Sequence, residues 1–84
     1  MNIKINNIGD NWVSGNCEDY NFEAKVYDDG SIYGINNGRV SKLTIYDKNN
    51  NWLVNYDRGW DIEPKDEVAD AYANIMEVLE NYNR

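Results

Sequence analysis

The sequence predicts an α+β domain: an antiparallel β-meander of four to five strands with one C-terminal amphipathic helix packed on one face. Three observations predict this fold class. Apolar and polar residues alternate over residues 20–27, which is the period of a strand with one buried face. Turn-forming residues then recur at short intervals up to residue 51. Beyond residue 64 the apolar spacing changes to three and four, which is the period of a helix.

The predicted elements belong to a single domain over residues 1–84. Strands are expected over about residues 2–56, a crossover over 57–64 and a helix over about 65–82. The chain contains no internal repeat and no linker-like segment that would separate a second domain.

The N-terminal third of the chain contains three predicted strands. Ile3 and Ile5 flank Lys4 in a short alternating segment, the least regular of the strand patterns. Residues 12–17 form the second predicted strand, and residues 20–27 form the third and most regular one.

The middle of the chain contains further predicted strands, separated by turns rich in Asp, Asn and Gly. The strands are residues 32–35, 40–46 and 52–56, which carry many β-branched and aromatic side chains. Asn37 and Gly38 form the dipeptide that is typical of tight hairpins. The predicted turns are residues 28–31, 36–38 and 47–51.

The predicted helix follows Pro64, which is expected to set φ for the first helical turn. Its apolar stripe is expected to pack on the sheet. The sequence leaves open which sheet face this is, because both faces of residues 52–56 are apolar. The main residues of the stripe are Val68, Tyr72, Ile75, Leu79 and Tyr82.

The composition restricts the classes of function. The 84 residues include no histidine and one cysteine, and the net charge is −7. Because histidine is the commonest general base near neutral pH, we expect no enzyme. Cys17 is predicted to be a buried small apolar residue, and a single cysteine excludes an internal disulfide. A protein this acidic is expected to avoid nucleic acid and anionic membranes and to be attracted to basic surfaces.

No cofactor and no metal site is expected from the motifs. The usual zinc ligand sets need more Cys or His, and the loop over residues 28–31 lacks the ligand spacing of a calcium loop. An ion near Cys17 or the acidic loops is left open. No apolar run approaches the roughly 18 residues of a membrane span, and the N-terminus lacks the apolar region of a signal peptide, so a cytoplasmic location is expected.

Negative charge is concentrated in the predicted helix. Residues 61–84 contain seven acids and two bases, which is −5 of the net −7. Glu67, Asp70 and Glu77 lie on the stripe opposite the apolar one, with Glu80 beside it. Like charges at these spacings disfavour an isolated helix, so the stripe suggests a basic partner. The alternative is an acidic face that only contacts solvent.

The crossover contains a second group of candidate binding residues. Tyr56 and Trp60 are large aromatics of the kind found at the centres of interfaces, with Arg58 as a polar contact between them. In the alternative interpretation, Trp60 fills the gap between sheet and helix, and Arg58 pairs with Asp57 or Asp61 to hold the crossover.

Four tracts of the chain resemble a family of small domains of unknown function from low-GC Gram-positive bacteria and their phages. The resemblance covers roughly residues 12–82 and is most specific from Tyr56 to Pro64. It implies no activity and no catalytic residue. In character, the protein is also similar to phage-encoded anti-CRISPR proteins, which are often small, acidic and without enzyme motifs. The tracts are residues 22–26, 31–36, 38–43 and 55–64.

Our leading hypothesis is a non-enzymatic inhibitor, phage-encoded, that occupies a basic nucleic-acid-binding surface of a host enzyme such as a CRISPR effector nuclease. It would bind neither nucleic acid nor membrane directly. The alternative is a phage or mobile-element protein that acts through homodimerisation at a sheet edge or through a phage partner. A small metal-dependent enzyme is a third reading. The predicted partner-binding residues are Glu67, Asp70, Glu77, Glu80, Tyr56, Arg58 and Trp60.

Overall fold

The computed structural model describes residues 3–83 and contains one antiparallel sheet and one C-terminal helix. The sheet has six strands in sequential order, so the predicted α+β meander is confirmed with more strands than expected. The predicted domain also includes residues 1, 2 and 84, which lie outside the described residues. The strands are β1 (Ile3–Gly9), β2 (Trp12–Cys17), β3 (Tyr20–Val26), β4 (Val40–Tyr46), β5 (Trp52–Asp57) and β6 (Trp60–Ile62), and the helix is α1 (Asp66–Glu80).

The first two hairpins have two-residue turns. In the β1–β2 turn, Asp10 and Asn11 both adopt left-handed φ values of 52° and 68°. This pair of conformations defines a type I′ turn, whose twist matches that of the flanking strands. Glu18 takes a left-handed φ of 55° in the β2–β3 turn. These tight turns place β1, β2 and β3 side by side in the order of the sequence.

The prediction of a strand over residues 32–35 is wrong. Residues 27–39 instead form a long connection that contains a 3₁₀ turn at Ile35–Asn37, and β3 pairs directly with β4. Gly34 lies so close to Gly38 that an added Cβ would approach the Gly38 carbonyl oxygen to 2.0 Å. Asn36 and Asn37 take left-handed φ, so the predicted hairpin turn is a compact loop instead.

The crossover contains a strand that periodicity does not predict. β6 is only three residues long and pairs with β5 through a tight turn at Arg58. The helix begins at Asp66 with Lys65 at the N-cap position, so Pro64 precedes the cap and does not lie in the first helical turn as predicted.

One face of the sheet packs against α1 and the other face is open. The helix contacts β3 and β4, the central strands. Val54 and Tyr56 lie on the covered face, and a register shift after Ile45 leaves Trp52 57% exposed. The buried core is Val13, Cys17, Phe22, Ala24, Val26, Ile35, Val40, Leu43, Ile45, Val54, Tyr56, Val68, Ala71, Ile75 and Leu79.

Candidate functional site

Glu80 joins the helix to the loop before β4. Both of its carboxylate oxygens accept the backbone N–H of Arg39 at 3.0 Å, and one also accepts the N–H of Val40 at 3.3 Å. The Arg39 guanidinium donates in return to the carbonyls of Glu80 and Tyr82, each at 2.7 Å. Glu80 was predicted as a partner-binding residue, and the structure places its carboxylate in these internal hydrogen bonds.

The other three predicted acids lie on the outer face of α1. Glu67, Asp70 and Glu77 are exposed, and their spacing places them on one stripe. Within residues 3–83, neither of the two ion pairs involves any of these three carboxylates. We call Glu67, Asp70 and Glu77 the acidic stripe. Its charges are available to a cation from outside the molecule.

The predicted aromatic anchors connect the sheet to the helix. Tyr56 is only 7% exposed, and its hydroxyl donates to the Tyr33 carbonyl at 2.9 Å. Its ring lies edge-on to Trp60 at 5.0 Å, and Trp60 in turn lies 5.9 Å from the ring of Tyr72 in α1. Burial raises the pKa of the Tyr72 phenol, as do the neighbouring Tyr56 and Glu80. Tyr56 is therefore a core residue, whereas Trp60 supports the helix and keeps 38% of its surface exposed.

Arg58 projects from the turn between β5 and β6. Its guanidinium lies over the ring of Tyr33 at 5.6 Å. Asp57 pairs with Lys42 at 3.6 Å, and Asp61 accepts a hydrogen bond from Asn55. In the described part of the chain Arg58 forms no ion pair, so the alternative in which it holds the crossover through Asp57 or Asp61 is wrong.

A row of side chains on the open sheet face was not singled out from the sequence. Across β2, β3, β4 and β5, Trp12 is opposite Lys25, Lys25 is opposite Lys42, and Lys42 is opposite Asp57. The Lys25 ammonium lies 5.8 Å from the Trp12 ring and 5.7 Å from the Tyr27 ring. The alternation of β3 indicates that Lys25 faces solvent, but only the register of the sheet places it opposite Lys42.

An open cleft of about 490 Å³ is lined by the two lysines in the middle of this row. We call it the cationic cleft, because three of its lining residues are cations. A second groove of about 390 Å³ runs between Trp12 and Trp52 on the same face. The principal lining residues of the cationic cleft are Lys25, Tyr27, Tyr33, Ser41, Lys42 and Arg58.

Cys17 is a fully buried residue of the core, as predicted. Burial raises the pKa of its thiol, and the charge of Glu18 raises it further. A thiol held protonated in an apolar environment is a poor nucleophile. In residues 3–83 no three Cys, Asp or Glu side chains are grouped as a metal site would require.

These features define a small two-layer α+β domain with an acidic outer helix face and an open, aromatic-rich sheet face. The chain belongs to the family described as domain of unknown function DUF7678, whose model matches residues 11–83. The expected membership in a family of unknown function is thereby confirmed. No curated protein and no solved structure gives a significant match to the chain.

Residues 3–83 contain one α-helix, α1 (Asp66–Glu80). No helix among them has the length and apolar character needed to span a membrane.

Proposed function

We propose that this protein is a non-enzymatic, phage-encoded inhibitor that acts in the host cytoplasm by binding a basic surface of a nucleic-acid-handling enzyme, such as a CRISPR effector nuclease. The observation that carries the proposal is the acidic stripe. Its three carboxylates are exposed on one helical face and have no ion-pair partner in residues 3–83.

The charge distribution favours a basic partner over the alternative, an acidic helix face that only contacts solvent. Glu77 lies near the C-terminal end of α1, and Glu67 and Asp70 repel each other at i, i+3; both features disfavour the helix in isolation, whereas the first-turn position of Glu67 favours it. A surface built to bind nucleic acid presents many Lys and Arg, and a single-sign stripe is complementary to it. Such complementarity raises the association rate and fixes the orientation of the two proteins.

Trp60 is the predicted anchor best placed to act beside the acidic stripe. It packs against Tyr72 of α1 and retains an exposed edge next to the helix. Partly exposed tryptophans supply much of the binding energy at interfaces when a partner buries them. Tyr56 and Glu80 are not part of the proposed surface, because the fold already uses both side chains.

The decisive experiment is affinity capture from a host lysate with the purified protein, washed first at low and then at high salt. We expect recovery of one nucleic-acid enzyme at low salt and its release at high salt, because salt screens exposed charges. The purified enzyme should then lose nucleic-acid binding when the protein is added. Recovery of an enzyme whose nucleic-acid binding is unaffected would contradict the proposal.

The second candidate function is self-association, and the position of β1 favours it. Within residues 3–83, β1 is an edge strand that pairs only with β2, and Ile8 near its end is exposed. An unpaired strand edge can extend the sheet into a second copy of the chain. Sedimentation at several concentrations distinguishes the two candidates, because a dimer that is stable at high salt supports self-association.

A further inference from the structure

The lining of the cationic cleft is positively charged, whereas the protein as a whole is negatively charged. Three cations and one carboxylate, Asp29, line it, so its formal charge is +2 in a chain whose net charge is −7. It lies on the sheet face opposite α1, because Lys25 and Lys42 alternate with the buried residues of β3 and β4. An inference about this cleft is therefore independent of the acidic stripe and of the proposed inhibitor function.

Two of the cations oppose each other directly. Lys25 of β3 and Lys42 of β4 are cross-strand neighbours, and like charges in this position destabilise a sheet. Only Lys42 has a carboxylate partner in residues 3–83, namely Asp57. The Lys25 ammonium lies 5.8 Å and 5.7 Å from the rings of Trp12 and Tyr27, and Arg58 lies over Tyr33. An anion bound between these cations would remove the repulsion.

The backbone beneath the cleft is irregular at two places. Arg58 has a left-handed φ of 57°, although Gly59 beside it would tolerate that conformation without strain. Among residues 3–83, Asn and Asp occupy five of the seven left-handed positions outside glycine, so an arginine there is unusual. Ser41 is the extra residue of a bulge, because Val26 pairs with Val40 and Lys25 pairs with Lys42. Strain and bulges of this kind concentrate at functional sites.

A serine hydroxyl also lies at the wall of the cleft. Ser41 is 4% exposed, and it is the only buried polar residue in residues 3–83. Its carbonyl accepts the N–H of Arg58, but its side-chain hydroxyl has no hydrogen-bond partner among the described residues. Within residues 3–83 no buried side-chain nitrogen or oxygen lacks a hydrogen-bond partner, so this hydroxyl is reached from the cleft that it lines and can donate to a ligand there.

We propose that the cationic cleft binds a free mononucleotide. Lys25 and Lys42 hold the phosphate, and Ser41 donates a hydrogen bond to it. The base stacks on the layer formed by Arg58 and Tyr33, since nucleobases stack on both aromatic rings and guanidinium planes. A volume of about 490 Å³ is within the range of small-molecule sites. The net charge of −7 disfavours a long polyanion, so a free nucleotide is a better ligand than a strand.

The test is a calorimetric titration of the 84-residue protein with AMP, GMP, CMP and UMP, with inorganic phosphate, and with a 5′-phosphorylated oligonucleotide of eight residues. We expect at least one mononucleotide to bind with a saturable Kd that is about tenfold tighter than that of inorganic phosphate. Arg58→Gly and Lys25→Gln should each raise this Kd about tenfold. Lys48→Gln removes one exposed lysine, in the β4–β5 turn and outside the cleft lining, and should change Kd by less than about twofold.

Arg58→Gly also separates loss of binding from loss of folding, because glycine relieves the strain of the left-handed backbone conformation and should not destabilise the protein. It should unfold at the same or a higher urea concentration than the parent while it loses binding. The proposal would be overturned by the absence of saturable binding of all four nucleotides, or by an unchanged Kd in Arg58→Gly. Equal affinity for inorganic phosphate would exclude a contribution from the base, and tighter binding of the oligonucleotide would exclude the free nucleotide as the ligand.

Discussion

The backbone N–H of Arg39 lies 3.0 Å from each carboxylate oxygen of Glu80, across 41 positions of the chain. The two residues also bond in the reverse direction, because the Arg39 guanidinium donates to the carbonyls of Glu80 and Tyr82 at the end of α1. The pair therefore satisfies the carbonyl of Glu80, the last residue of α1, and that of Tyr82 just beyond the helix, and it closes residues 27–39 onto the helix end.

Glu80→Ala should destabilise the fold by about 1–3 kcal/mol, because it leaves the backbone N–H groups of Arg39 and Val40 without their acceptor. Urea unfolding followed by tryptophan fluorescence measures this change. Glu77→Ala on the exposed face is the matched control, and it should change the free energy of unfolding by less than about 0.5 kcal/mol. Equal effects of the two substitutions would show that the Glu80 contacts contribute nothing.

Gly34→Ala should destabilise the protein by roughly 1–3 kcal/mol, since its Cβ would approach the Gly38 carbonyl oxygen to 2.0 Å and force the backbone to move. At Gly59 an added Cβ has no heavy atom within 4 Å. Gly59→Ala is therefore expected to be neutral or to stabilise by about 0.4–1 kcal/mol. Thermal unfolding of both variants provides the comparison, and a stable Gly34→Ala protein would contradict the close packing of this loop.

Reversal of the acidic stripe, Glu67→Lys with Asp70→Lys and Glu77→Lys, should weaken binding to the captured enzyme about tenfold or more and flatten its salt dependence. Urea unfolding should remain within about 1 kcal/mol of the parent, because the three side chains are exposed. The single change Glu67→Lys should also weaken binding, whereas the control Glu23→Lys, which reverses one charge on the open sheet face, should not. An unchanged affinity in the triple variant would exclude the acidic stripe as the binding surface.

Stability at low pH should depend on Asp47. Hydrogen bonds from Asn51 are the largest cause that lowers the pKa of this carboxyl below 3.8, and the Asn49 backbone N–H adds to them. Because the folded pKa lies below the unfolded one, the ionised side chain stabilises the fold above pH 3.8, and this contribution disappears as the pH falls through the folded pKa.

The Asp47 effect can be isolated by comparison with Asp47→Asn. The difference in free energy of unfolding between parent and variant should shrink as the pH decreases from about 6 to about 2. A constant difference between parent and Asp47→Asn over this pH range would contradict the prediction.

The strands and the helix could be predicted where a single period governs the residues. Residues 20–26 and 40–46 alternate and form β3 and β4, and the apolar stripe of α1 repeats at three and four. The predictions failed where contacts distant in sequence determine the conformation. Residues 32–35 resemble a strand, but close packing of Gly34 on Gly38 and burial of Ile35 fold them into a loop.

Some residues of the candidate site could likewise be predicted from the sequence, and others could not. The acidic stripe could be predicted, because the i, i+3 and i+10 positions of a helix share a face regardless of what surrounds it. The internal role of Glu80 could not, because its partners lie about forty positions away. The cationic cleft also depends on the register that places Lys25 opposite Lys42, and on the turn that brings Arg58 beside Tyr33.

The sequence by itself determined the fold class, the acidic helix face and the absence of histidine chemistry, because these follow from local periodicity and composition. Only the tertiary structure decided which charged side chains remain available to a partner. The Glu80 carboxylate is not available to a partner, because it accepts hydrogen bonds from backbone N–H groups that are distant in sequence. The Glu67 carboxylate remains exposed, because it forms no ion pair with any cation in residues 3–83.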